Sequence, residues 1–246
     1  MPTSNHNPKV AVVVGAGDAT GGAIAIRFAR EGMAVVATRR RKEALEPLVN
    51  EIRSEGGIIH PFGCDARKEQ EMTELFEHIE QAIGEIHLVI FNIGANVSFS
   101  ITDTTERVYR KVWEMAALAG FLTGREAAKA MLPREQGTII FTGATASVRG
   151  NSGFAAFSGA KFALRATAQS MARELGPRGI HVAHSLIDGA IDTDFIRENF
   201  PDKYALKSQD GILNPDHIAG QYWQLHCQPR DCWTHELDLR PWMETF

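Results

Sequence analysis

The chain has few cysteines and no excess of basic residues. Three of its 246 residues are cysteines, Cys64, Cys227 and Cys232, and their spacing matches no zinc motif. So few cysteines do not form a disulfide framework, which predicts a reducing, cytoplasmic location and no metal site. The formal net charge of -4 offers no basic surface for nucleic acid or an anionic membrane. We therefore expect a small-molecule partner.

Long hydrophobic runs are also missing. The longest apolar stretches have the length of a β-strand, so no transmembrane helix is predicted. Residues Met1 to Pro8 are polar, unlike a signal peptide, and are expected to form a flexible tail. With 44% hydrophobic and 23% charged residues, the composition is typical of a globular protein. A single domain over residues 1–246 is the simplest interpretation.

Short runs rich in valine and isoleucine alternate with longer amphipathic segments. Strands are predicted at Val10–Val14, Ala34–Ala37, Ile58–Ile59, Ile86–Phe91, Thr138–Phe141, Ile180–Ile187 and Glu236–Leu239. Helices are predicted over Gly22–Glu31, Lys42–Glu55, Lys68–Ile83, Thr104–Met131, Gly153–Leu175 and Pro215–His226. This alternation indicates a Rossmann-type, doubly wound α/β fold, a seven-stranded parallel sheet with helices on both faces. Residues 188–214 are expected to form one long irregular connection, a substrate lid loop.

A glycine cluster follows the first strand. Gly15, Gly17 and Gly21, with Asp18 and Thr20 between them, separate that strand from a helix. Glycine permits a tight turn and close ligand approach, and a helix N-terminus favours negative charge. An ordinary strand-to-helix turn could have the same composition. The position of the cluster, in the first βα turn of a βα chain, favours a pyrophosphate-binding loop.

Basic residues end the second strand. Arg39 and Arg40 stand where an NAD-binding enzyme would have an acidic residue for the ribose 2′-hydroxyl. A guanidinium can form paired, charge-assisted hydrogen bonds with a 2′-phosphate, which favours NADP(H) over NAD(H). Two observations oppose this interpretation: arginines also begin solvent-exposed helices, and Asp18 would repel a nearby phosphate.

These motifs, in this order, resemble the short-chain dehydrogenase/reductase family over nearly the whole chain. Gly15-x-Gly17-x-x-x-Gly21 resembles its glycine loop, with Ala19 in place of the middle glycine, and Phe91-Asn92-Ile93-Gly94 resembles its Asn-Asn-Ala-Gly motif. Asp188-Gly189-x-x-x-Thr193 resembles the Pro-Gly-x-x-x-Thr segment beside the nicotinamide. The resemblance implies a homodimer or homotetramer and further cofactor contacts from Asp65, Ala66, Asn92, Gly94, Lys161, Gly189, Ile191 and Thr193.

The catalytic positions of that family are altered. Its lysine falls on Lys161, but its tyrosine, serine and asparagine fall on Phe157, Ala144 and Ala116. Phenylalanine has no proton to donate to an alkoxide, and alanine cannot polarise a carbonyl. A shift of register does not restore the motif, because none of the three tyrosines has a lysine four residues later.

Thr145 and Asp188 are the candidate replacements beside Lys161. Thr145 has a hydroxyl next to the lost serine, and a buried Asp188 could hold a proton near the nicotinamide, although it could equally cap the following turn. Tyr204, in the predicted lid, is a weaker candidate. His184 is expected to be a strand residue with a satisfied ring. Gly189 follows its strand one residue later than in the family pattern, which predicts a β-bulge there.

Three functions remain open. The first is an atypical NADP(H)-dependent oxidoreductase that transfers a hydride between the nicotinamide and a small carbonyl or alcohol substrate with a non-standard proton donor. The second is an NADP(H)-binding pseudoenzyme that acts as a redox sensor or as a regulatory or structural partner. The third is a non-redox enzyme that reuses the pocket.

Overall fold

The centre of the molecule is a sheet of seven parallel strands. A computed structural model describes residues 8–245, so the predicted tail lies, except for Pro8, outside the described residues. The strand order is β3-β2-β1-β4-β5-β6-β7, which confirms the predicted fold class. The strands are β1 (Lys9–Val14), β2 (Ala34–Arg39), β3 (Ile59–Gly63), β4 (Glu85–Phe91), β5 (Gly137–Thr142), β6 (Ile180–Ile187) and β7 (Glu236–Leu239).

Six helical segments were predicted and all six contain helix, but the segment over Lys42–Glu55 begins with a 3₁₀ turn over Lys42–Leu45, the segment over Thr104–Met131 is interrupted, and two short helices were not predicted. The helices are α1 (Thr20–Arg30), α2 (Glu46–Ser54), α3 (Glu69–Ala82), α4 (Glu106–Trp113), α5 (Ala119–Met131), α6 (Ala155–Leu175), α7 (Asp194–Asn199), α8 (Pro201–Ala205) and α9 (Pro215–His226). The segment predicted as one helix over Thr104–Met131 is α4 and α5, joined by a π turn over Glu114–Leu118. A π turn of this kind inside a helix is frequent near functional sites.

Both faces of the sheet are buried. Val10, Val12 and Val14 of β1 contribute to the core under α3, α5 and α6. Ala11 and Val13, which point the other way, contribute to the core under α1, α2 and α9. A strand covered on both sides has no polar face, which explains the continuous apolar runs in the sequence.

The strand order places a crevice at the carboxyl ends of β1 and β4. The chain leaves β1 toward β2 on one side, and it leaves β4 toward β5 on the other. Because the two connections diverge, a gap opens between them at this edge of the sheet. The glycine cluster and the residues after β4 and β5 border this gap.

The connection over residues 188–214 is not irregular, so this prediction was wrong. It contains α7, α8 and a 3₁₀ turn over Leu206–Gln209, and a single bridge between Ile191 and Leu213 closes its base. Thr193 caps α7 by accepting a hydrogen bond from the Ile196 amide at 3.1 Å. Pro201 begins α8. Both are standard start signals, but helices of five and six residues are too short to show apolar periodicity.

The predicted bulge in β6 was also wrong. β6 pairs in continuous register with β5 and with β7 up to Ile187. Compared with the family pattern, this segment has one additional residue before Gly189. The strand itself stays regular to Ile187, and the backbone changes direction at Gly189, which has a φ of 140°. Glycine adopts that backbone conformation without the steric penalty that a side chain would add.

Candidate active site

The glycine loop is fixed against the end of β2. The amides of Gly15 and Ala16 donate hydrogen bonds to the Thr38 carbonyl at 3.2 and 3.1 Å, and Gly15 has a φ of 91°. At Gly21 an added Cβ would overlap the Gly15 carbonyl oxygen, whereas one at Gly17 would meet no atom within 4 Å. Gly21 is therefore needed for packing, and Gly17 leaves open space in front of α1.

The residues predicted to bind the adenosine end surround a cavity of about 240 Å³. Arg39, Arg40, Asp65 and Ala66 line it together with four residues of the glycine loop and of the segment after β4, namely Gly15, Gly17, Asn92 and Gly94. The Asn92 amide donates to the Gly15 carbonyl at 3.2 Å, which holds these two segments together.

Two of the predicted charged residues in this cavity, Arg39 and Asp65, are paired within the chain, whereas Arg40 forms no ion pair with the described residues. Arg39 Nη1 lies 2.8 Å from Asp18 Oδ1 and also donates to the Ala44 carbonyl at 3.0 Å. Asp65 accepts two hydrogen bonds from the Arg67 guanidinium, which lowers the pKa of its carboxyl. Asp18 thus contacts the arginine that the sequence assigned to a 2′-phosphate.

A larger cleft of about 800 Å³ continues from the glycine loop along the carboxyl ends of β5 and β6. Eleven of the residues predicted for the site line it: Gly15, Gly17, Asp18, Thr20, Gly21, Asn92, Gly94, Thr145, Lys161, Gly189 and Ile191. We call Gly15 to Gly21 and Asn92, together with Arg39 and Asp65 of the adjoining cavity, the glycine-loop half. We call Ala144, Phe157 and Lys161, together with the buried Ala116 packed near them, the Lys161 half.

Lys161 is held at the bottom of the cleft. Its Nζ donates to the carbonyls of Thr142 at 2.8 Å and Ile93 at 3.3 Å, and the residue is only 3% exposed. Burial lowers the pKa of its ammonium group to about 8. The Phe157 ring centroid lies 5.9 Å from Nζ. An aromatic ring without a hydroxyl therefore occupies the position next to the lysine.

The other two altered positions lie close by. Ala116 is fully buried in the π turn between α4 and α5 and packs in one cluster with Phe157. The Ala144 amide donates to Ser147 Oγ at 3.1 Å. The π turn is present although alanine leaves no polar group there to contact a ligand.

Thr145 and Asp188 lie together at the border between two cavities. Thr145 lines both the large cleft and a neighbouring cavity of about 460 Å³, whereas Asp188 lines only the neighbouring cavity, which also contains His184, Glu236 and Arg240. The Thr145 hydroxyl donates to Asp188 Oδ1 through a short hydrogen bond. Asp188 is 4% exposed, and its other carboxylate oxygen lies 3.5 Å from Arg240 Nη1. The two candidate proton donors therefore form a bonded pair.

Two further sequence predictions concern His184 and Tyr204. The His184 ring is not satisfied, contrary to expectation: its Nε2 is buried and has no hydrogen-bond partner among the described residues. Burial, with the nearby charge of Lys161, lowers the pKa of this imidazole to about 4. Tyr204 lies on α8, with Lys207 Nζ 5.5 Å from its ring centroid, and does not line the cleft.

Several cleft residues were missed by the sequence analysis. Arg149 lies after the turn that follows β5 and borders both the large cleft and its neighbour. Phe195 and Phe200 of the lid region face the cleft, as does Glu244 near the end of the described chain. Residues this far apart in sequence reach one cleft only through the tertiary fold. Of the four, Arg149 could have been identified from the sequence, because it is a charged residue between the predicted catalytic positions 144 and 157.

Residues 8–245 contain neither a metal-binding cluster nor a membrane-spanning helix. No group of three or more histidine, cysteine or acidic side chains is arranged to hold a metal ion. No helix in that range has both the length and the apolar character needed to cross a bilayer.

The doubly wound sheet, the glycine loop at its switch point and the lysine on α6 define a Rossmann-type α/β protein. The family model for short chain dehydrogenases matches residues 9–204, and the chain belongs to this family.

Three known proteins illustrate the similarity. The chain is 28% identical to human dehydrogenase/reductase SDR family member 4, over 91% of this chain and 78% of that protein. A crystal structure of a short-chain dehydrogenase from Rhodopseudomonas palustris is 50% identical, with a TM-score of 0.82, and covers 96% of this chain and 100% of that one. A metagenomic short-chain oxidoreductase in complex with NADP shares the fold at 23% identity and a TM-score of 0.77, covering 97% and 99%.

Proposed function

We propose that the protein is an NADP(H)-dependent oxidoreductase that acts on a small carbonyl or alcohol substrate without a tyrosine as proton donor. The observation that carries the proposal is the continuous cleft from the glycine loop to Lys161. The similar metagenomic oxidoreductase in complex with NADP agrees with this choice of cofactor. The bound nicotinamide supplies or accepts the hydride.

The glycine-loop half fits a dinucleotide. The open space at Gly17, in front of α1, can admit a pyrophosphate against backbone amides and the positive end of the helix. Arg39 would bind a 2′-phosphate by exchanging its contact with Asp18 for charge-assisted hydrogen bonds to the ligand. Asp65 and Asn92 border the same space and would contact the adenosine portion.

Lys161 is the proton donor in this proposal. In the reductive direction the carbonyl carbon gains a hydride and its oxygen must gain a proton. The Lys161 ammonium, with a pKa of about 8, can supply that proton near neutral pH and can accept it in the oxidative direction. Thr145 lies next to Ala144, and its hydroxyl proton is donated to Asp188. The Thr145 oxygen is therefore directed to accept a hydrogen bond from the hydroxyl of an alcohol substrate.

The cofactor part of the proposal is tested by the melting temperature with NADPH and with NADH. We expect NADPH to raise it more than NADH. The Gly17→Ala variant should melt like the wild type without ligand, because its Cβ meets no neighbouring atom, but should lose most of the NADPH shift. The absence of a shift with both cofactors in the wild-type protein would reject the proposal.

The role of Lys161 is tested by the pH dependence of kcat/KM. Reduction requires the protonated amine, so its rate should fall as the pH rises through about 8, while oxidation should increase over the same range. Lys161→Arg keeps a positive charge that does not titrate in this range, and should remove the inflection. An unchanged profile in Lys161→Arg would exclude Lys161 as the donor.

Phe157, Ala144 and Ala116 are apolar and cannot take part in proton transfer. This favours a second candidate, an NADP(H)-binding pseudoenzyme with a sensory or structural role. Such a protein would show the NADPH-dependent shift but no oxidation of NADPH with a panel of aldehydes, ketones and oxo acids. Turnover of any of these substrates would favour the enzyme.

A further inference from the structure

The substrate end of the cleft contains two cationic side chains from separate elements. Arg149 extends from the segment between β5 and α6, and Lys203 extends from α8 in the lid region. Neither side chain forms an ion pair with a carboxylate of the described residues. The Nε atom of Arg149 is buried and has no hydrogen-bond partner within the part of the chain that the structure describes.

Other arginines near the cleft are paired with carboxylates within the described chain, whereas Arg149 is not. Arg39 is paired with Asp18, and Arg165 forms two hydrogen bonds with Glu236 at 2.6 and 2.7 Å. Arg240 contacts Asp188. No carboxylate of the described residues neutralises the Arg149 guanidinium, so a ligand carboxylate in the cleft would supply the acceptor that this charge lacks.

Four phenylalanines line the large cleft that Arg149 borders. Phe154 and Phe157 line the same end of the cleft from the α6 side. Phe195 and Phe200 face it from the lid region, where they are 62% and 45% exposed and pack edge to face with ring centroids 6.0 Å apart. These surfaces would be covered by an apolar substituent on the ligand.

The acidic side chains of the cleft lie elsewhere. Asp18 is in the glycine loop and is paired with Arg39. Glu244 is near Gly189, with Oε2 3.5 Å from the position that a Cβ on Gly189 would occupy. The neighbouring cavity that Arg149 also borders contains Asp188, Glu236 and Asp238, which are paired with Arg240 or Arg165. None of these carboxylates forms an ion pair with Arg149, so its charge stays available to a ligand.

We infer that the substrate is a carbonyl or hydroxy compound with a carboxylate group and an aryl or branched alkyl substituent, and that Arg149 binds the carboxylate. A guanidinium can hold a carboxylate through two parallel hydrogen bonds, and Lys203 adds a second positive charge at the mouth of the cleft. This inference rests on the proposed function, since it names the substrate class of the same cleft.

The test compares acids with their neutral esters. The probes are 2-oxo-4-phenylbutanoate and 4-oxo-4-phenylbutanoate, each beside its methyl ester, titrated calorimetrically in the presence of NADP⁺, which cannot reduce them. For at least one pair the acid should bind about tenfold more tightly than the ester, as expected for a charge-assisted contact. The two probes sample different separations between the carbonyl and the carboxylate.

Three variants locate the effect. Arg149→Gln should reduce the preference for the acid to about twofold or less, and Arg149→Lys should keep part of it. Arg178→Gln is the matched control, because Arg178 is an exposed arginine that precedes β6 at the opposite edge of the sheet. It should bind acid and ester like the wild type. All three variants should keep the NADP⁺-dependent rise in melting temperature.

The inference is overturned if the wild-type protein binds acid and ester equally, if it binds neither acid at millimolar concentration, or if Arg149→Gln keeps the full preference. These results are separate from a failure of the proposed function. A protein whose melting temperature does not respond to NADP⁺ or NADPH would refute the cofactor, and the comparison of acid and ester, repeated without cofactor, would still test Arg149.

Discussion

The glycine-loop half and the Lys161 half differ in how closely their residues match the sequence motifs of the family. The glycine-loop half keeps the backbone features that a dinucleotide requires, with Gly21 in tight contact with Gly15 and Gly17 open to the cleft. In the Lys161 half, the positions at which the sequence resemblance predicts a tyrosine and a serine hold Phe157 and Ala144, so Lys161 is the polar side chain at the predicted catalytic positions that line the cleft. Cofactor binding depends mainly on backbone geometry and charge, whereas proton transfer depends on single side chains. One half of a site can therefore be altered while the other is retained.

The largest effect is expected when a hydroxyl is added at each of two positions in the Lys161 half. In the double variant Phe157→Tyr with Ala144→Ser, a phenol would stand beside the Lys161 ammonium, which lowers the pKa of such a phenol. We expect carbonyl reduction to increase about a hundredfold or more, the usual contribution of a general acid. Steady-state NADPH oxidation with a panel of aldehydes and ketones measures it.

The matched control is Phe162→Tyr, which adds a hydroxyl to an exposed phenylalanine on the same helix. It should leave the rate unchanged. A double variant that binds NADPH normally but stays as slow as the wild type would mean that the pocket itself, and not only the proton donor, differs from that of the family.

A second prediction concerns the pH dependence of the free energy of unfolding, to which the buried His184 near Lys161 contributes. His184 is 1% exposed and its pKa is about 4 in the folded protein, against 6.5 for an ordinary histidine. As the pH falls from 6.5 to 4, the unfolded state binds a proton that the folded state does not. The free energy of unfolding should therefore fall by up to about 3 kcal/mol over this range.

Urea titrations at several pH values measure this dependence. His184→Gln should flatten it, and so should His226→Gln on the opposite face of the sheet, because burial lowers the pKa of His226 to about 4 as well. Only His184 is affected by the charge of Lys161, so Lys161→Met should raise the pKa of His184 and reduce its contribution. An equal slope in wild-type protein and in both histidine variants would contradict this account.

The sequence predicted the strands and the loop position of the glycine-loop half, but it did not predict the side-chain contacts around Lys161. Apolar runs and glycine positions are local signals, so the strands, the loop at Gly15 and the basic end of β2 could be predicted. The pairing of Asp18 with Arg39, and of Thr145 with Asp188, depends on side-chain directions that the sequence does not encode locally. The unpartnered ring nitrogen of His184 and the place of Arg149 between two cavities depend on packing between β6, β7 and α6.

A small change in cofactor affinity is expected from a substitution of Asp18 in the glycine-loop half. Asp18→Asn should release Arg39 and remove a negative charge next to the proposed 2′-phosphate position. Because Asp18 is 84% exposed, its contact with Arg39 is screened, and we expect NADPH to bind only about two- to fivefold more tightly. NADH affinity should not change, and added salt should reduce the difference.

Calorimetric titration of both cofactors measures this effect, and Glu77→Gln, which removes an exposed charge on α3, controls for net charge. The opposite result would also be informative. Weaker NADPH binding in Asp18→Asn would mean that Asp18 holds Arg39 in the orientation that receives the phosphate. The carboxylate would then be part of the binding site rather than a competitor of the cofactor, and selectivity would depend on a prepositioned pair instead of a free arginine.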